Sequence, residues 1–151
     1  MVYPKDPNQQ VTAIRYLGKN ILFLTPNAFT SRRAYNLSRK EPETNKWIGT
    51  IQKDDVLWDI GACVGGYTLM AAITRGCKVI AFEPIAANYA NLNANLLLND
   101  LDRDVWAYCI AISGSNKFYE SIDYSNLDAP GSSDNQAEEE RWFKQGVMHA
   151  S

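Results

Sequence analysis

Val56-Leu57-Trp58-Asp59-Ile60-Gly61-Ala62-Cys63-Val64-Gly65-Gly66 is the stretch that decides the fold of this chain. Its first five residues form a short apolar run, the pattern of a strand buried on both faces of a parallel sheet. Gly61 to Gly66 break the run. Tyr67 to Arg75 then reads as a compact apolar helix, stopped by Gly76 just past its end. Lys78-Val79-Ile80-Ala81-Phe82 is expected to be a second buried strand, ending at Glu83-Pro84. Ile85, Tyr89, Leu92 and Leu96 follow at spacings of four, three and four, one apolar stripe along a helix. Val105 to Ile112 reads as a third strand. Strands alternating with helices of this length imply parallel βαβ units with right-handed crossovers, and so the α/β class.

Upstream, Val11, Ile14 and Tyr16 precede Gly18-Lys19-Asn20, and Ile21, Phe23 and Leu24 follow it, which predicts a β-hairpin. Residues 26–41 are polar and carry Arg32, Arg33, Arg39 and Lys40, so a solvated loop or irregular helix is expected. Pro42 suits the first turn of a helix that buries Trp47, Ile48 and Ile51. Trp58 and Trp106, lying in strands, are expected in the core. Asn88, Asn91, Asn95 and Asn99 share one helix face and read as a solvated stripe, Asn88 excepted. After Ser113 the apolar periodicity fades; Lys117 to Ile122 suits a short strand, and residues 123–140, rich in Asp, Asn, Ser and Glu, read as a loop or disordered stretch.

The 151 residues are 46% hydrophobic with a net charge of −2, which suits a globular domain and gives no basic footprint for nucleic acid. No apolar run approaches the roughly 20 residues of a membrane span. Val2 to Pro7 is polar and proline-broken, unlike a signal peptide. Cys63, Cys77 and Cys109 form no CxxC pair, so reduced buried thiols in a cytoplasmic protein are expected. The single His149 suggests no metal site.

Ligands of open parallel sheets bind beyond the carboxyl ends of the strands, where the first turn exposes backbone amides and a helix N-terminus. Glu83 ends the second strand 24 residues after Asp59, where a carboxylate can accept hydrogen bonds from both hydroxyls of a ribose. A nucleoside ligand follows. A dinucleotide site wants G-x-G-x-x-G, whereas the glycines here are spaced G-x-x-x-G-G and Cys63 stands at the second position. Asp59 just before the turn repels a pyrophosphate and suits the ammonium of a methionine moiety. Electrostatics therefore favour S-adenosylmethionine over a nicotinamide dinucleotide. The alternatives are an NAD(P)-binding oxidoreductase domain and a blander one, in which the glycines only make a turn and Glu83 is a solvated strand end.

From Lys40 to Ile112 the chain resembles the FkbM family of S-adenosylmethionine-dependent methyltransferases. The resemblance rests on Lys40-Glu41-Pro42-Glu43-Thr44 with Trp47-Ile48, on Val56 to Ala62 with Gly65 and Tyr67-Thr68, on Ala81-Phe82-Glu83-Pro84, on Asn88, Asn95 and Asn99, and on Ala111-Ile112. Cys63 departs from it, since relatives often carry asparagine there. The resemblance implies a Rossmann-like class I methyltransferase fold, with flanking helices and a preceding hairpin and helix. It implies that Asp59, Gly61, Ala62 and Gly65 hold the methionine end of S-adenosylmethionine. Glu83 holds the ribose, Pro84 and Ile85 lie along the adenine, Ala111 and Ile112 close its edge, and Asn88 is a weaker contact. It also implies O-methylation of a sugar or natural-product hydroxyl by in-line displacement, a small-molecule acceptor and no nucleic acid. Glu41 belongs to the motif, yet nothing local gives it a role, and no general base is visible.

The expected division is an extension over 1–52 and the first half of a methyltransferase domain over 53–151, truncated after the third strand. Such a piece is expected to be inactive alone. It becomes a non-catalytic binding or scaffold fragment if Ser151 is the true terminus.

Overall fold

The structure, a computed structural model, describes residues 10–112. It begins with an antiparallel hairpin of β1 (Val11–Tyr16) and β2 (Lys19–Leu24), joined by the two-residue turn Leu17-Gly18. Both turn residues have positive φ, 47° and 78°, the geometry that matches the right-handed twist of hairpin strands. The turn thus sits one residue earlier than Gly18-Lys19-Asn20.

Residues expected as a loop instead form a helix, α1 (Ala28–Asn36). A capping box nucleates it: the Asn27 side chain accepts from the Thr30 N–H at 3.0 Å, and the Thr30 hydroxyl accepts from the Asn27 N–H at 3.3 Å. α2 (Pro42–Thr50) starts at proline as expected and buries Ile48, with Ile51 just after it. Trp47, however, lies outside, 55% exposed.

The α/β unit follows as β3 (Val56–Ile60), α3 (Gly66–Arg75), β4 (Lys78–Phe82), α4 (Ala86–Leu98) and β5 (Val105–Tyr108). The three strands are parallel in the order β3-β4-β5, with Asp59 beside Ala81 and Ile60 beside Phe82. This is the Rossmann-like arrangement, preceded by a hairpin. β5 ends at Tyr108, four residues short of the expected Ile112. Gly76 takes φ 69° and closes α3, and its N–H donates to the Ala72 carbonyl at 3.0 Å.

Among the described residues the core lies on one face of the sheet. Leu57, Val79, Ala81 and Val105 meet Leu69 and Met70 of α3 and Leu92 and Leu96 of α4. Burying each such side chain contributes about 1.5–3 kcal/mol. Side chains of alternate parity point the other way, so Trp58 and Trp106 are 59% and 47% exposed rather than in the core. The expectation of strands covered on both faces is met on one face only. β3 is an edge strand among the described residues, with Val56 and Trp58 exposed and Leu57 buried. The segments 117–122 and 123–140 lie outside the described residues.

The asparagine stripe of α4 is turned inward rather than solvated, with Asn91 and Asn95 buried and Asn99 half-buried. Asn99 grips Leu22 of β2 on both sides, accepting from its N–H at 2.9 Å and donating to its carbonyl at 2.8 Å. Asn95 accepts from the Leu24 N–H at 2.7 Å, and Asn91 donates to the Leu24 carbonyl at 3.4 Å. The spacing explains the fit. Four helical residues rise about 6 Å, and two strand residues advance about 6.7 Å. Carboxamides at i and i+4 therefore reach alternate residues of a strand edge and satisfy it as another strand would.

Candidate functional site

The turn after β3 is bound to the end of β4 by its own backbone. The Gly61 and Ala62 N–H groups both donate to the Phe82 carbonyl, at 2.8 and 3.0 Å, and the Cys63 N–H donates to Glu83 Oε2 at 2.7 Å. This path needs positive φ at Gly61 (81°), Cys63 (52°) and Gly65 (87°). Gly61 has open space where a Cβ would stand, on the cavity side, so its requirement is conformational. Gly65 has a packing reason as well: a Cβ there would lie 2.4 Å from Leu92 Cδ1, so its absence lets α3 and α4 approach. Cys63 carries its positive φ without being glycine or asparagine, a local cost of about 1–2 kcal/mol.

Above this turn lies a cavity of about 600 Å³. Its floor is Asp59 to Val64 with Glu83, Ile85 and Asn88, and its opposite wall is Arg32, Arg33, Asn36, Leu37 and Lys40 from α1 and the loop after it. Glu41, Thr44, Gly66 and Tyr67 complete the lining. Arg32 and Arg33, placed by sequence on a solvated loop, therefore stand on a helix that walls the cavity, while Arg39 lies beyond it.

Six expected site residues meet here: Asp59, Gly61, Ala62, Glu83, Ile85 and Asn88. Gly65 lies behind the turn, and Pro84, Ala111 and Ile112 are not among the lining residues. Cys77 is buried in the core, while Cys63 and Cys109 are half-buried, all three reduced.

Asp59 accepts from the Thr68 hydroxyl at 2.5 Å, and the Thr68 backbone also favours its charged form. The carboxylate thus occupies the first turn of α3, where backbone amides and the helix dipole favour an anion. A pyrophosphate would have to displace it. Burial nonetheless pushes the Asp59 carboxyl above the usual range, against the pull of Thr68. A cation placed on it offsets that desolvation.

Glu83 is 3% exposed. Its Oε2 accepts from Cys63, and its Oε1 accepts from the Ile85 N–H at 2.9 Å and from Asn88 Nδ2 at 3.4 Å. Burial raises its carboxyl too, more than these bonds and nearby Arg33 lower it. A carboxylate offers about four lone-pair positions, so Glu83 holds the turn and keeps one position for a ligand hydroxyl. The solvated strand end is ruled out by this burial. Cys63 is held as a thiol, pushed up to about 11 by burial against the pull of Arg33.

Two lining residues, Tyr67 and Glu41, and Thr68 behind Asp59 had no role from sequence. Thr68 was readable as part of the motif, but its bond to Asp59 needs the helix to fold back over the strand end. The Tyr67 hydroxyl donates toward the Lys40 carbonyl at 3.4 Å and feels the charge of Glu41. Burial, Glu41 and Asp59 all push its ionisation far above the usual phenol range. Glu41 has φ 54°, which sequence does not reveal. No group of three or more His, Cys, Asp or Glu among the described residues is placed to hold a metal ion.

No family model matches the chain. A tRNA (guanine(37)-N(1))-methyltransferase of Anopheles darlingi is 36% identical over 80 residues, which are 53% of this chain and 16% of that protein. The chain thus spans about a sixth of the curated relative it matches. Among solved structures, Pyrococcus horikoshii TYW2 in complex with MeSAdo matches at TM-score 0.48 and 20% identity, over 67% of this chain and 36% of that one. M. jannaschii TYW2 in complex with AdoMet matches at 0.46 and 20%, over 71% and 45%. The geranyl diphosphate C-methyltransferase of Streptomyces coelicolor matches at 0.48 and 20%, over 60% and 33%. At these identities the likeness is one of fold.

Proposed function

We propose that this chain carries the S-adenosylmethionine-binding part of a methyltransferase, with residues 1–52 as an extension and 53–151 as the first half of the catalytic domain. One observation carries the reading: Asp59 already fills the anion site at the start of α3, and Glu83 stands across the same cavity. That arrangement disfavours a pyrophosphate and suits a ligand with a cation at one end and a ribose at the other.

In this reading Asp59 receives the ammonium, Gly61 and Ala62 let the methionine chain lie against the backbone, and Glu83 accepts from the ribose. Ile85 supplies apolar contact to the adenine, with Pro84, Ala111 and Ile112 at its margin. When bound, S-adenosylmethionine supplies an electrophilic methyl on a sulfonium. The protein's share is to hold that methyl in line with an acceptor atom, and positioning of this kind removes much of the barrier.

The acceptor proposed is a hydroxyl of a sugar or natural product in the cytoplasm, on the FkbM resemblance. A nucleic-acid acceptor is the second reading, favoured by the tRNA methyltransferase that matches 80 residues; the net charge of −2 counts against it. Transfer of labelled methyl from S-adenosylmethionine by the full-length protein, offered glycosides in one arm and tRNA in the other, separates the two. Label in glycosides alone supports the first reading, and label in tRNA alone replaces it.

A further inference from the structure

Glu41 combines three features that its position at the head of α2 does not require. Its backbone is left-handed, with φ 54°, a conformation costly for a residue with a long side chain. It is the N-cap of α2, and its carbonyl accepts from the Asn45 N–H at 3.1 Å, yet its side chain makes no capping bond. It lines the cavity with Tyr67, and its carboxylate pairs with Lys40 Nζ at 3.2 Å, about half-exposed. Strain that persists where packing does not need it gathers at sites of function.

The neighbours place this carboxylate. Tyr67 lines the same cavity as Glu41 and Asp59 and feels the charge of both. If Asp59 receives the ammonium of the cofactor, the side of Tyr67 away from Asp59 is the side where an acceptor enters. We propose that Glu41 stands beside the transferred methyl and takes the proton of an incoming hydroxyl or N–H acceptor. This rests on the methyltransferase reading. As the acceptor's lone pair forms the bond to the methyl carbon, the carbon–sulfur bond breaks with its electrons passing to sulfur. The acceptor's proton moves to a Glu41 oxygen and from there to solvent, which reaches this half-exposed side chain. Lys40 releases Glu41 when the acceptor binds, since an exposed pair of this kind holds by little.

Sinefungin tests the placement without an acceptor, because it carries an amine where S-adenosylmethionine carries the transferable methyl. The full-length protein should bind sinefungin more tightly than S-adenosylhomocysteine, and Glu41→Gln should lower that preference about tenfold while leaving S-adenosylhomocysteine affinity unchanged. A preference unaffected by Glu41→Gln overturns the proposal. Glu41→Asn, which tolerates the left-handed backbone, should lose the preference and melt no lower than the parent; a lowered melting temperature would make Glu41 structural and overturn it. Failure of the unaltered protein to bind S-adenosylhomocysteine overturns the cofactor reading itself, a result distinct from the loss of preference.

Discussion

Asn95 is the residue whose removal tests most about how this chain is built. It has no solvent exposure and joins three parts of the chain. Its Oδ1 accepts from Leu24 of the hairpin at 2.7 Å. Its Nδ2 donates to the Val64 carbonyl in the glycine turn at 2.8 Å and to Asn91 Oδ1 at 3.0 Å. Asn95→Ala leaves the Leu24 N–H and the Val64 carbonyl buried without these partners. Each such group costs about 1–3 kcal/mol, and alanine's better helix propensity returns roughly 0.5 kcal/mol. The expected net loss is about 2–5 kcal/mol. Asn99→Ala, whose partners sit on a half-exposed rim, should cost about 0.5–1.5 kcal/mol. Urea unfolding of the full-length protein, followed by circular dichroism, measures both. If Asn95→Ala falls within about 0.5 kcal/mol of the parent, a limit typical of surface substitutions, the buried ladder is wrong and the solvated stripe is right.

The acidic floor makes a prediction in pH. The folded-state carboxyls of Asp59 and Glu83 lie above their ordinary values, so the stability they contribute is present below the ordinary range and is lost as pH rises through the raised values. Asp59→Asn should therefore raise the melting temperature at pH 7.5 more than at pH 4 while losing cofactor, and a variant that melts lower at both would refute the buried charge. Cys63→Gly relieves the backbone at φ 52° and should stabilise by up to about 1 kcal/mol, the strain less the entropy of glycine; a loss in thermal unfolding would show the thiol packing to be worth more. Glu83→Gln turns an amide N–H2 toward one of the two backbone donors it now accepts from, so a loss of about 1–3 kcal/mol in stability should accompany weaker binding. Unchanged stability would show that the turn does not depend on it.

The alternation of strands and helices from Val56 to Leu98 was legible because apolar period and glycine punctuation are local signals. So were Asp59, Gly61 and Glu83, which the βαβ geometry brings to one cavity. The docking of Asn91, Asn95 and Asn99 was not, because their partner is a strand edge some 70 residues upstream and a polar stripe reads the same whether it faces water or backbone. α1 was legible and missed: Asn27 and Thr30 spell a capping box, but the arginines behind them argued for a loop. Trp58 and Trp106 misled for a physical reason, since aromatic strand residues enter the core only where a second layer covers them. The strain at Glu41 leaves no trace in composition or spacing.

The central claim is that this cavity binds a nucleoside with a cationic amino-acid tail and rejects a pyrophosphate. Calorimetric titration of the full-length protein with S-adenosylhomocysteine and with NAD tests it most directly. Saturable binding of S-adenosylhomocysteine is expected, weakened by Glu83→Ala by about 1.5–3 kcal/mol for one lost charge-assisted hydrogen bond, with no heat from NAD. Binding of NAD without S-adenosylhomocysteine would contradict it.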